Sequence, residues 1–168
     1  MTQENNLIED TVENSAQNDH PSVIMRPPLL YGLFLLAAII IELVIGIDLI
    51  GWGTQFAIGM LLMSLGFGIG AASIMRFAGE GTNVQTNRPA TALVTDGTYR
   101  FSRNPIYIAL TCLYVGLCFL LDLLWGFIFL APLLYTMNRH VIEREEEYLE
   151  KKFGESYQAY KKSTRRWL

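Results

Sequence analysis

The chain has 168 residues, 51% of them hydrophobic, a mean hydropathy of +0.27 and a formal net charge of -3. That length suits one domain, and that apolar content fits a small integral membrane protein better than a soluble one. Nucleic acid is not indicated, because no basic stripe interleaves with aromatics; metal is not indicated either, because Cys112 and Cys118 stand six residues apart in an apolar segment, neither a redox pair nor a zinc half-site.

The net charge misleads if read globally. Residues 1–26 carry Glu4, Glu9, Asp10, Glu13 and Asp19 in a stretch without apolar periodicity, which reads as a disordered acidic tail ahead of one membrane domain over residues 27–168. The tail is acidic, has no early apolar core and does not read as a signal peptide. The rest is mildly basic, as suits a surface facing anionic lipid. All 13 Lys and Arg fall at Arg26, between Arg76 and Arg103, or from Arg139 onward. Cytoplasmic loops retain such cations. The pattern therefore predicts an all-α polytopic fold with about four spanning helices in a bacterial-type inner membrane. Both termini and the middle segment lie on the cytoplasmic side.

The first span runs from about Leu29 to Ile50, opened by Pro27 and Pro28. Glu42 lies inside it and must face protein or be protonated, as a polar contact in a substrate cavity or as an interhelix hydrogen bond. A short outer turn from Asp48 to Thr54 leads to a second span from about Gln55 to Met75. Gly66, Gly68 and Gly70 within it are flanked by apolar residues, and Gly66 with Gly70 reads as a close helix-packing pair rather than a phosphate loop. Arg76 to Asn104 is a long polar loop whose Leu93, Val94, Tyr99 and Phe101 argue against disorder. A third span from Asn104-Pro105 to about Leu121 and a fourth from Leu123 to about Met137 are short for the bilayer and read as a tight helical hairpin, kinked at Pro132. A charged helix follows from about Asn138 to Lys152, ended by Gly154. The tail beyond it, with Tyr157, Tyr160 and Trp167 among cations, reads as contacting the inner leaflet. Cys112 and Cys118 read as inert buried residues.

Two places can carry chemistry. On the charged helix, Ile142, Leu149 and Phe153 form an apolar stripe, and Glu145 and Glu146 lie within about 60° of its centre. Adjacent carboxylates on a buried face need a cation, either an internal Arg or a positive group of a ligand. At the start of the third span, Asn104 can cap the helix and Pro105 suits its first turn. Such a helix start beside Arg103 attracts a carboxylate, or else is an ordinary capped helix with Arg103 on lipid phosphate. A zwitterionic, amino-acid-like ligand would satisfy both places. S-adenosyl-L-methionine is one, and its sulfonium would welcome the aromatic faces of Tyr99 and Tyr107.

The paired strings LVTDGTYRFSRNPIY (residues 93–107) and EEEYLEKKFGESYQAY (residues 145–160) resemble the isoprenylcysteine carboxyl methyltransferase family, membrane enzymes related to phospholipid N-methyltransferases. The resemblance covers roughly Thr82 to the C-terminus. It implies that Thr91, Ala92, Leu93 and Val94 run along the adenosine of S-adenosyl-L-methionine. Tyr99, Asn104, Pro105, Ile106 and Tyr107 become cofactor contacts, and Glu145 holds the cofactor's amino group with Glu146 beside it. Gln85, one residue from Val84, stands near a Gln of some relatives. Eukaryotic members carry a substrate-binding Arg four residues before the first Glu; here that position is Val141, with Arg139 and Arg144 nearby.

The resemblance thus implies transfer of a methyl group to an amphiphilic acceptor entering from the bilayer, foremost an isoprenylcysteine-like carboxylate, with a lipid amine or a small thiol as alternatives. Glu146 and Arg103 are the catalytic candidates, and Arg139 and Glu42 the substrate-binding ones. An anionic acceptor needs only alignment and a dry site, whereas an amine needs a base such as Glu146 or Glu42. Two readings of other classes are an NADPH-dependent membrane reductase using Arg88, Arg100 and Arg103, and a non-enzymatic scaffold in which the paired acids only make ion pairs.

Overall fold

The computed structural model describes residues 25–46, 52–79, 81 and 90–168. The acidic tail up to residue 24, Asp48 in the outer turn, and Val84, Gln85 and Arg88 lie outside the described residues. Among the described residues the fold is all-helical: α1 Pro27–Val44, α2 Trp52–Gly79, α3 Pro105–Leu120, α4 Leu124–Met137, α5 Glu143–Phe153 and α6 Glu155–Ser163. A short 3-10 turn, Gly97–Arg100, precedes α3, and a π-helical turn, Asn138–Ile142, joins α4 to α5.

Among the described residues two helices are long and apolar enough to cross a membrane. The windows in α1 and α2 have mean hydropathies of 2.1 and 1.9, yet only 22% and 17% of them is buried inside the protein. A core helix of a soluble protein would be covered; here Leu33, Leu36, Ile40, Phe56, Leu61 and Phe67 point outward, a surface that hydrocarbon accommodates and water does not. The expected shortness of the next two elements holds. With 16 and 14 residues, α3 and α4 reach about 24 and 21 Å at 1.5 Å per residue. Their connection is a tight turn in which the Leu123 amide donates to the Cys118 carbonyl at 2.8 Å, with Asp122 in the left-handed region at φ 55°. Cys118 is fully buried against Gly126 as expected, whereas Cys112 is only half-buried. Pro132 sits within α4, and the helix continues through it.

α2 packs along α3 and α1 along α4. The α2–α3 contact explains the glycines. A Cβ on Gly59 would stand 2.7 Å from the Leu120 side chain and 3.1 Å from the Gly116 carbonyl. One on Gly66 would stand 2.8 Å from Leu113 and 3.0 Å from the Ala109 carbonyl. Gly70 meets Ala109 at ordinary contact distance. These small residues let two backbones touch, so the packing expectation for Gly66 and Gly70 is met.

Three expectations are corrected. α2 extends a turn beyond Met75, through Arg76 and Phe77, and begins at Trp52, inside the span assigned to the outer turn. The added inner turn carries the 3-10 segment: Arg76 pairs with Asp96, Ser73 and Thr98 share a hydrogen bond of 3.0 Å, and Phe77 meets the Tyr99 ring edge-on at 5.1 Å. The charged helix opens with a π-turn rather than an α-turn, within which Val141 and Ile142 are buried in the core. Lastly, Tyr157 and Tyr160 do not lie on a leaflet. They turn inward with Val94 and Tyr99, against Phe77, Leu93, Leu149 and Phe153, where the chain breaks at Gly154 (φ 53°) between α5 and α6 and the aromatic side of α6 meets the loop before α3.

The α2–α3 contact predicts an asymmetry between neighbouring glycines. Gly66→Ala should lose about 1–3 kcal/mol to overpacking, whereas Gly68→Ala, with nothing within 4 Å of its Cβ, should be neutral or slightly stabilising. Thermal unfolding of both variants in detergent measures the difference.

Candidate functional site

α5 enters the bundle directly after the π-turn. That turn adds a residue to the helical repeat and so sets which face of α5 meets the body of the protein. The apolar stripe behaves as its spacing requires: Ile142 is buried in the core of the helical bundle, while Leu149 and Phe153 pack on the aromatic cluster around Tyr99. Glu145 and Glu146 flank that stripe and both turn inward. Glu147 and Lys151 are exposed.

The two acids meet different partners. The Tyr107 hydroxyl, on the first turn of α3, donates to Glu145 Oε1 at 2.6 Å. Burial pushes the Glu145 carboxyl up to about 7, the Tyr107 hydrogen bond pulls it back down, and the neighbouring Glu146 charge raises it again. Tyr99 belongs to the same group: burial pushes its phenol far up, and Tyr160 and Glu145 add to the effect. Tyr160 in turn donates its hydroxyl to the Tyr99 carbonyl at 2.7 Å.

Glu146 meets guanidinium groups of this chain. Arg166 Nε and Nη2 lie 3.0 and 2.8 Å from its two oxygens, in a two-pronged pair. Arg103 Nη2 lies 3.1 Å from Oε1, with side chains only 9% and 7% exposed. Arg103 Nε and Nη1 are buried without a hydrogen-bond partner among the described residues, where Glu146 is the group that compensates this cation. Around the pair, Arg166 Nη1 donates to Asn138 Oδ1 at 3.0 Å. The Arg166 carbonyl accepts from the Ser102 hydroxyl at 3.2 Å and from the Asn104 amide nitrogen at 2.9 Å, while the Arg103 amide donates to the Arg165 carbonyl at 2.9 Å. Asn104 therefore stands at the cap position of α3 without capping it through its side chain, which serves the irregular C-terminal segment instead. Pro105 occupies the first turn as expected, buried, with Ile106 packed against the core.

Thr91, Ala92, Leu93 and Val94 form an irregular stretch along the acidic helix. The Ala90 amide donates to the Tyr148 hydroxyl at 3.2 Å, and Leu93 and Val94 join the aromatic cluster. These residues, Tyr99, Asn104 to Tyr107, Glu145, Glu146 and Arg103 thus come together at one end of the bundle. Two sequence candidates do not. Glu42 sits near the far end of α1, where its carboxylate accepts from the Trp125 amide at the start of α4 at 3.4 Å, an interhelix contact about a full helix length from Glu145. Arg139 is exposed and pairs with Glu143 at 2.6 Å, one helical turn on. Val141, at the position of the missing substrate-binding Arg, is fully buried. Of the arginines the reductase reading needs, Arg100 is exposed and Arg103 is committed to Glu146, while Arg88 lies outside the described residues. Sequence reasoning missed Arg166, Ser102 and Asn138. The one available signal was the demand of two inward carboxylates for an internal arginine.

The buried pair makes a sharp prediction. Glu146→Ala strands Arg103 and should destabilise the protein by about 3–5 kcal/mol, whereas Arg139→Ala, which breaks an exposed pair, should stay within about 0.5 kcal/mol of the parent. Denaturant unfolding in detergent, followed by tryptophan fluorescence, compares the two.

An uncharacterised protein of Haemophilus influenzae is 54% identical to this chain over 33 residues, which cover 20% of the chain and 52% of the relative. The alignment thus spans about half the length of that relative. No solved structure matches. The phospholipid methyltransferase family matches over residues 54–156, from the start of α2 through the first residues of α6, and so takes in the loop before α3, the hairpin and both acids. With more than half of its length covered in this way, the chain belongs to the phospholipid methyltransferase family, a family of membrane methyltransferases.

Proposed function

We propose that this methyltransferase uses S-adenosyl-L-methionine and methylates an amphiphilic acceptor that reaches the site from the bilayer. The observation that carries the reading is the Tyr107–Glu145 hydrogen bond, which joins the acidic helix to the start of α3 across 38 residues of sequence. It brings an anionic group, two aromatic faces and the positive end of a 16-residue helix into one place, and that donor set fits a zwitterionic sulfonium.

In this reading Glu145 holds the amino group and the first turn of α3, Asn104 to Tyr107, faces the carboxylate. Thr91 to Val94 run along the adenosine. When bound, the cofactor supplies an electrophilic methyl group. The chain's own residues align the acceptor and keep water out. Glu146 and Arg103 act indirectly, setting the charge around Glu145 and the α3 start. By the distribution of cations the site faces the cytoplasm.

An acceptor that is already an anion needs no base, and neither base candidate is placed to serve: Glu146 is taken by two guanidinium groups and Glu42 lies at the other end of the bundle. This favours a carboxylate on a lipid-like tail, as in isoprenylcysteine. The buried Val141 and the Glu143-bound Arg139 speak against the recognition of prenylated proteins that eukaryotic relatives achieve with an arginine. A phospholipid amine is the second reading, favoured by the family match itself.

Purified protein in detergent should bind S-adenosyl-L-methionine, and Glu145→Gln should weaken binding about 10–100-fold, the loss of a charge-assisted hydrogen bond of about 1.5–3 kcal/mol. A cation is held by the ionised acid, so affinity should rise with pH through about 7 and level off above it; Glu145→Gln should flatten that dependence. Isothermal titration between pH 5.5 and 8.5 reads both effects. Transfer from a radiolabelled donor to a prenylcysteine, to phosphatidylethanolamine and to tail-less analogues identifies the acceptor. A methyl ester releases its label in base and a methylamine does not. Equal rates with tail-less acceptors would overturn entry from the bilayer.

A further inference from the structure

The last five residues, Thr164 to Leu168, lie outside the matched segment of residues 54–156, yet they fold back across the site. Arg166 touches three separate parts of the chain: Glu146 on α5 through both oxygens, Asn138 in the π-turn, and, through its carbonyl, Ser102 and Asn104 ahead of α3. The preceding carbonyl of Arg165 accepts the Arg103 amide, and Trp167 packs on the core of the bundle. These are the elements whose relative rotation decides whether Glu145 meets Tyr107.

We propose that Arg166 is a positioning residue: the C-terminal strap locks α5 to the α3 start through Glu146 and Asn104, and thereby completes the site around Glu145. The inference rests on the reading of Glu145 as the acid that holds the cofactor. It makes the strap a working part of the enzyme although it is remote in sequence from every residue it aligns. Among the described residues, the charged and titratable groups that face the two acids include Tyr107 from α3, Tyr99 from the 3-10 turn, Arg103 from the loop, Glu143 from α5, Tyr157 from α6 and Arg166 from the strap. Two of these groups are permanent cations, and both sit on Glu146. With Arg166 gone, the Glu146 charge is offset by Arg103 alone and bears more strongly on Glu145.

The test uses the full chain in detergent and two readouts. The protonated-carboxyl infrared band that disappears in Glu145→Gln is titrated without cofactor, and S-adenosyl-L-methionine affinity is measured separately. Arg166→Gln should move the band's midpoint upward by about one unit, as expected when a neighbouring carboxylate loses an opposite charge, and should weaken binding about tenfold. Arg166→Lys, which keeps the charge but not the two-pronged geometry, should restore the midpoint and only part of the affinity. Arg165→Gln removes the same charge from an exposed side chain and should change neither. If the Arg166→Gln midpoint equals the parent's, or Arg165→Gln shifts it equally, the positioning role is wrong. A shifted midpoint in a protein that binds no S-adenosyl-L-methionine would uphold the strap and reject the cofactor.

Discussion

A carboxylate sealed inside protein is tolerated where cations meet it, and a guanidinium sealed beside it is tolerated for the same reason. Glu146 and Arg103 stand in that relation, with Arg166 completing the charge balance. Arg103 precedes α3, Glu146 lies in α5 and Arg166 is third from the C-terminus, so one cluster ties three distant stretches of chain together. Glu145 inherits its placement from this cluster. Its neighbour is held by two arginines, and the helix they share then presents Glu145 to Tyr107.

The membrane and the site impose opposite demands that the bundle separates in space. α1 and α2 turn apolar side chains outward and contribute little buried surface of their own. α2 earns its place through its contact with α3, where glycines allow backbone to approach backbone, and through its inner turn, where Ser73, Arg76 and Phe77 carry the 3-10 segment. The polar chemistry gathers at the one end where the loop, α5, α6 and the strap converge. Glu42, a carboxylate within apolar α1, serves the opposite end by meeting the start of α4.

Much of this was legible in the residues. Apolar runs and the placement of Lys and Arg located the helices, since a spanning segment excludes charge and its length follows from the rise per residue. The 3.6-residue repeat turned Glu145 and Glu146 inward with Ile142, Leu149 and Phe153, because neighbours on a helix face are set by local geometry alone. The paired motifs also have a physical explanation: Leu149, Phe153, Tyr157 and Tyr160 are spaced to build one wall against Leu93, Val94 and Tyr99, so the two strings are two sides of one contact. Where local signals misled, a long-range partner had intervened. Asn104 looked like a helix cap, and its amide went to the Arg166 carbonyl; Tyr157 and Tyr160 looked interfacial, and Gly154 turned them inward.

What the amino-acid order determined by itself was therefore everything governed by near neighbours and by exclusion of charge from lipid: helix positions, the inward face of the acidic helix and the close-packing glycines. Only the tertiary structure decided which acid would be paired and which left beside a tyrosine. That choice depends on a π-turn that resets the rotation of α5 and on an arginine 20 residues beyond Glu146, and neither leaves a periodic trace in the chain. A charge can name the kind of partner it needs, but the fold alone brings one within 3 Å.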